Sequence, residues 1–270
     1  MNTIVAIGHK ARAALAASGR VARPLAEFPD APYFAAAGEI IWVGSRLPAR
    51  HPRAVLTAQP VARGPEVTFG ALPGGAWQRA LPPAGEVDPP TVRAAGRRLI
   101  GAARALGAPR GFGTLLFGEA PEFPLDFAAA RVVALATAYA ADDPEAVHAA
   151  SRAVLGVGTG LTPSGDDLAG AALFGRMLVD RREAWRKVGD ALAHDARAAS
   201  HAISAALLAD LVAGETFEPL HALAAAFADP DDAAAIEAAH SLTALGHASG
   251  WDMLTGCLIG LLGHWTQRNG

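Results

Sequence analysis

One cysteine in 270 residues excludes much at once. Cys257 has no partner for an internal disulfide and no companions for a cysteine-based zinc site, which fits a reducing, cytoplasmic compartment. Lysine is nearly missing too: only Lys10 and Lys187 stand among 23 basic residues, and no Lys/Arg-rich block exists to grip a phosphate backbone. Nucleic acid is therefore not an expected partner. Long hydrophobic runs are also lacking. The longest, Met253 to Gly263, falls well short of the roughly 18–20 residues that a membrane span needs, so no membrane association is expected. Lys10 and Arg12 follow the short apolar N-terminal stretch rather than precede it, the reverse of a secretory signal. Charged residues make up only 18% against 51% apolar, which supplies a core and rules out global disorder.

The little charge present is unevenly placed. Residues 1–124 hold 14 Lys/Arg against 8 Asp/Glu, whereas residues 125–270 hold 9 against 18. Seven of the nine histidines lie in the second part. Two complementary surfaces are the simple explanation; a basic half that helps to hold an anionic substrate is the sharper one.

Patterning divides the chain at the same place. The first 85 residues are rich in loops and short apolar runs, such as Ile40 to Val43 and Ala54 to Leu56, bounded by turn residues. Gly111 to Gly118 reads as a further buried strand, and Pro90 to Leu106 as a helix. From about Asp126 the pattern is helical: 127–139, a helix capped by Asp142-Asp143-Pro144-Glu145, then 165–180, 183–212, 217–228, 232–245 and 250–266. The turn at 229–232 separates two of these. No repeat of fixed period shows. The expected fold is α+β, with a β-rich N-terminal half (1–124) packed on a mainly helical C-terminal half (125–270) that carries the motifs described next.

The most informative segment is Gly156-Val157-Gly158-Thr159-Gly160-Leu161-Thr162-Pro163-Ser164-Gly165-Asp166-Asp167. Glycines at alternate positions let backbone approach a ligand closely. Thr162 suits an N-cap and Pro163 the first helical position, so the loop runs into a helix start, where unpaired N–H groups favour an anion. No Lys-Ser/Thr follows, so this is not a P-loop, and no strand clearly precedes it, so it is not a dinucleotide fingerprint. Asp166 and Asp167 are explained either as first-turn acids that stabilise the helix or as ligand contacts. In the second case they need a positive or hydrogen-donating neighbour: a divalent cation or a substrate –NH2. A ligand with an anionic end and an amide end satisfies both features.

A second segment, Gly246-His247-Ala248-Ser249-Gly250-Trp251-Asp252, has the same design: a glycine turn, a Ser and an Asp entering a helix. Gly246 ends one helix, Ser249 caps the next, and His247 in the turn is either structural or a general acid/base. Ser200 and Ser204 lie one helical turn apart and share a face, so they line a pocket or merely allow close packing. Ser164 lacks the G-x-S-x-G setting of a hydrolase nucleophile. The candidate set is therefore His247, Asp166 and Asp252 for catalysis. Gly158, Gly160, Thr162, Ser164, Gly165, Asp167, Ser200, Ser204 and Ser249 form the candidate substrate-binding set.

Together these segments resemble a bacterial family of domains of unknown function that includes the AllH-type subunit of oxamate carbamoyltransferase. The resemblance rests on Gly158 to Asp167 (GTGLTPSGDD), on Gly246 to Asp252 (GHASGWD), and on the Ser200/Ser204 stretch ahead of Ala213-Gly214-Glu215. It covers mainly residues 150–260. It implies carbamoyl transfer on a small ureide-derived molecule of allantoin and purine degradation, such as oxamate, oxalurate or carbamoyl phosphate, together with partner subunits. Each of these ligands has an anionic end for the Gly158–Gly160 loop and a nitrogen for Asp166 or Asp167. Such a transfer needs positioning and charge stabilisation, with no redox cofactor and no covalent nucleophile. Two alternatives stand beside it: a metal-dependent hydrolase using Asp166, Asp167 and Asp252 with Mg²⁺ or Mn²⁺, and a non-catalytic ligand-binding subunit.

Overall fold

The computed structural model describes residues 1–26, 33–62, 64–82, 87–229 and 231–265. Pro230 of the turn at 229–232 and residue 266 of the last expected helix lie outside them. The structure is 55% helical and 12% strand, and the strands are confined to the N-terminal part, so the α+β class holds. Contacts divide the chain into two compact units, 1–79 with 215–218 and 80–214 with 219–270. The change in composition at 124/125 falls inside the second unit.

Among the described residues the first unit is a six-stranded sheet with one helix. In chain order it comprises β1 (Ile4–Ile7), α1 (His9–Ala17), β2 (Val21–Ala26), β3 (Tyr33–Ala36), β4 (Glu39–Gly44), β5 (Ala54–Thr57) and β6 (Val67–Thr68). The sheet order is β1-β5-β4-β3-β2-β6, antiparallel throughout except for β4 and β5. Ala37 and Gly38 both have positive φ and turn β3 into β4, the backbone a tight two-residue hairpin needs. Leu15 of α1 joins Phe34, Ile41, Val43, Val55 and Phe69 in the core. Glu215, in the short returning segment, pairs with Lys10 (2.5 Å) and His9 (3.3 Å).

The second unit is helical: α2 (Pro89–Ala102), α3 (Ala129–Ala140), α4 (Pro144–Arg152), α5 (Ser164–Val179), α6 (Glu183–Ala199), α7 (Ala202–Val212), α8 (Glu218–Ala226, whose first residue belongs to the sheet unit), α9 (Asp232–Thr243) and α10 (Ser249–Leu262). α5 is buried from Ser164 to Leu178 and α10 from Gly250 to Leu261, so these two form the centre. Their backbones touch. A Cβ on Gly260 would run into the Ala172 carbonyl, and one on Gly175 would run into that of Cys257. Small residues thus let two helices that are buried on nearly every side approach to backbone distance, which explains why neither shows an amphipathic stripe.

Two local expectations are corrected. Gly111 to Phe117 is a 3₁₀ helix, not a strand. Gly111 takes φ +55° and the Phe112 N–H donates to the Asp252 carboxylate (2.7 Å), so this apolar run packs on α10 rather than pairing in a sheet. The single expected helix 183–212 is two, broken where Ser200 is extended (φ −137°, ψ 178°).

Candidate functional site

The two motif segments meet. α5 begins at Ser164 with Pro163 as its cap residue, and α10 begins at Ser249 with Ala248 as its cap residue. Neither Thr162 nor Ser249 serves as the side-chain cap expected of it; the hydroxyls go elsewhere. Thr162 Oγ1 lies 3.4 Å from Ser249 Oγ. The Ser164 hydroxyl donates to Asp252 of the other helix, and the Ser249 hydroxyl donates to Asp167. Each first-turn serine thus crosses to the aspartate of the opposite helix.

The two crossings share one sequence pattern. The α4–α5 and α9–α10 connections both lead into Ser-Gly-x-Asp, which opens the following helix. In the first connection the Gly165 N–H donates to the Val157 carbonyl (2.8 Å); in the second the Gly250 N–H donates to Leu245 (3.0 Å). Gly158 and Gly246, each directly after that acceptor residue, both have positive φ (117° and 61°). Seven residues (158–164) separate acceptor from donor in the first connection and four (246–249) in the second. The likeness is confined to the helix starts: α9 packs on α10, whereas α4 packs on α3 and α6.

Asp167 and Asp252 are both buried. Asp252 accepts from the Phe112 amide on Oδ1 and from Ser164, while its Oδ2 is buried without a hydrogen-bond partner. Asp167 Oδ2 is likewise buried and unpartnered. Burial pushes the Asp252 carboxyl up to about 7, against its hydrogen bonds. Burial first, and then the neighbouring Asp252 charge, raise Asp167 well above the usual carboxylate range, opposed by Ser249.

Asp166 points elsewhere. Its Oδ1 accepts from the Gly156 N–H (2.8 Å), and its Oδ2 accepts from Ser204 Oγ (2.6 Å) and Ser200 Oγ. It therefore ties the start of the glycine loop to the α6–α7 break. Ser200 and Ser204 do act together, on this carboxylate. Ser200 does so from outside the helix rather than from a shared helical face.

The loop itself is open. Thr159 and Gly160 are exposed, and Gly156, Gly158 and Gly160 all have positive φ. Among the described residues no backbone hydrogen bond engages the amides of 158–162, which lie just before the α5 N-terminus. Gly165 is buried; a Cβ there would run into the Val154 carbonyl. Its part is close packing of the helix start. His247 is exposed in the turn before α10. Its carbonyl accepts from Arg110 Nη1 (3.3 Å), and its ring is not part of the bonded cluster. Arg110 and the Phe112 amide were missed in the sequence, because only the fold brings 110–112 to α10. Among the described residues no group of three or more His, Cys, Asp or Glu is placed to hold a metal ion.

Two buried helix N-termini with crossed Ser–Asp pairs, beside an exposed glycine arc whose amides have no backbone hydrogen bonds, make up the candidate site in the helical unit. Residues 154–261, which contain both motifs, match the model of a family described as "Oxamate carbamoyltransferase subunit AllH". The resemblance drawn from the motifs is thus shown over this segment. No curated protein and no solved structure matches the chain. No helix among the described residues is long and apolar enough to cross a membrane.

Proposed function

We propose that the protein is a cytoplasmic carbamoyltransferase subunit of allantoin degradation, acting with partner subunits on a small anion that carries an amide, of the oxamate or oxalurate type, with carbamoyl phosphate as the carbamoyl carrier. One observation carries this reading: the unengaged amides of 158–162 stand next to two buried carboxylates, each with an unpartnered oxygen. Backbone N–H groups at a helix start suit a carboxylate or phosphate, and unpartnered carboxylate oxygens suit a nitrogen-bearing group. Those oxygens are buried, so a ligand reaches them only when the neighbouring loop moves. The positive-φ glycines give the loop that freedom.

In the transfer, the oxamate nitrogen bonds to the carbamoyl carbon while the carbon–oxygen bond to phosphate breaks. The nitrogen gives up one proton and phosphate leaves. The protein's share is to hold both anions and the amide in line, which converts a bimolecular encounter into a positioned one. His247, on the exposed rim, is the residue we assign to proton exchange with the leaving group.

Calorimetric titration with oxamate and with carbamoyl phosphate tests this. Gly160 has φ +91° and open space around it, so Gly160→Val distorts the amide arc without a clash in the core. Binding by the natural protein, and at least tenfold weaker binding by this variant with unchanged circular dichroism, is the expected result. Unaltered affinity in the variant, or no binding of either ligand by the natural protein alone or with its partner subunits, overturns the reading.

A further inference from the structure

Asp167 and Asp252 pose an electrostatic problem that the loop does not solve. Two buried carboxylates near enough to repel one another stand in the first turns of two helices, each with one oxygen unpartnered, and no cationic side chain is among the groups acting on them. The groups that face them are the Ser164 and Ser249 hydroxyls and the Phe112 amide. Asp166, also on α5, adds negative charge and is itself held by Gly156, Ser200 and Ser204. Arg110, nearest in sequence to the Phe112 contact, spends Nη1 on the His247 carbonyl, and Arg93 of α2 donates to Leu261 at the far end of α10. The helix N-termini contribute partial positive charge, together roughly one unit. That balances one negative charge, not two.

We propose that Asp167 and Asp252 share one proton and that the singly protonated pair reads the amide edge of the ligand. The protonated carboxyl donates to the amide oxygen and the ionised one accepts from the amide nitrogen. A pair with one donor and one acceptor complements O=C–N–H along a single edge. A carboxylate of the same shape offers no N–H and is discriminated against. The raised affinity of both acids for protons agrees with this arrangement. The amide ligand rests on the function proposed above; the shared proton does not.

Infrared difference spectroscopy of the ligand-free protein with ¹³C-labelled aspartate tests the proton. At neutral pH a carbonyl band of a protonated carboxylic acid is expected, lost in Asp167→Asn and in Asp252→Asn. Absence of that band in the natural protein, or its survival in both variants, overturns the proposal whatever the ligand is found to be. Oxamate titrations test the reading of the amide. An Asn beside an Asp reproduces one donor and one acceptor without a proton. Oxamate affinity of the natural protein is expected to fall above pH 7, and that of Asp252→Asn is expected to stay constant between pH 6 and pH 8. The double variant Asp167→Asn with Asp252→Asn is expected to lose binding. Loss of binding by the folded single variant at every pH overturns the recognition step. Failure of the natural protein to bind oxamate overturns the proposed function and leaves the infrared result standing.

Discussion

The starts of α5 and α10 share Ser, Gly and Asp at their first, second and fourth positions, and differ at the third. Asp166 stands there in one and Trp251 in the other. Trp251 is buried against Phe117, with Gly113 beneath it, where a Cβ would strike the indole. Asp166 instead gathers three donors from the glycine loop and the α6–α7 break. The common positions thus build the acid pair, and the differing one decides what each start is fastened to. An apolar anchor secures the short turn. A buried carboxylate holds the root of the longer turn while its tip stays exposed. The amides of 246–249 lack backbone hydrogen bonds among the described residues just as those of 158–162 do, so the two turns differ in length and in anchoring rather than in free donors.

The comparison breaks most severely at the shared glycines. Gly165 and Gly250 occupy equivalent places, and a Cβ on either would strike a carbonyl, of Val154 or Leu242. Gly165→Ala and Gly250→Ala should each cost about 3 kcal/mol or more in urea unfolding, because backbone rather than a flexible side chain must move. One tolerated and one disruptive variant would show that the two starts are not equivalent. Asp166→Ala strips one acceptor group from three donors and should cost about 3 kcal/mol. Asp166→Ala should also speed proteolysis within 156–163, whereas truncating Trp251 should destabilise without loosening that loop.

The acid pair gives a pH signature of smaller size. Asp252 holds its proton more tightly folded, at about 7, than unfolded, near 3.8. The folded state therefore binds more protons between those values. Its contribution is full at low pH and declines as pH rises toward 7, by up to roughly 1.4 kcal/mol per unit. Asp252→Asn should flatten that decline in a series of thermal melts. An unchanged slope would mean that Asp252 is ionised in the fold. The smallest effect belongs to His247. It is exposed and outside the bonded cluster, so His247→Ala should shift stability by less than about 0.5 kcal/mol, and under the function proposed above it should slow carbamoyl transfer to oxamate.

Local signals carried far into this chain. Glycine spacing announced the loop, Ser-Gly-x-Asp announced two helix starts of one design, and Ala-rich patterning announced the helical part. These are short-range effects, set by backbone freedom, capping chemistry and side-chain size within a few residues. Gly111 to Phe117 shows the limit: a short apolar run fits strand or buried helix equally, and the Asp252 carboxylate 140 residues away settles it. Ser200 likewise sits in a helix-compatible sequence but is pulled out of it by Asp166. The sequence determined that acids, serines and glycines would cluster at helix starts. Only the tertiary structure decided that Asp166 would anchor the loop while Asp167, its neighbour, would face Asp252. Successive residues of a helix point about 100° apart, so adjacent carboxylates must face different partners, and which partner each meets depends on packing between distant helices.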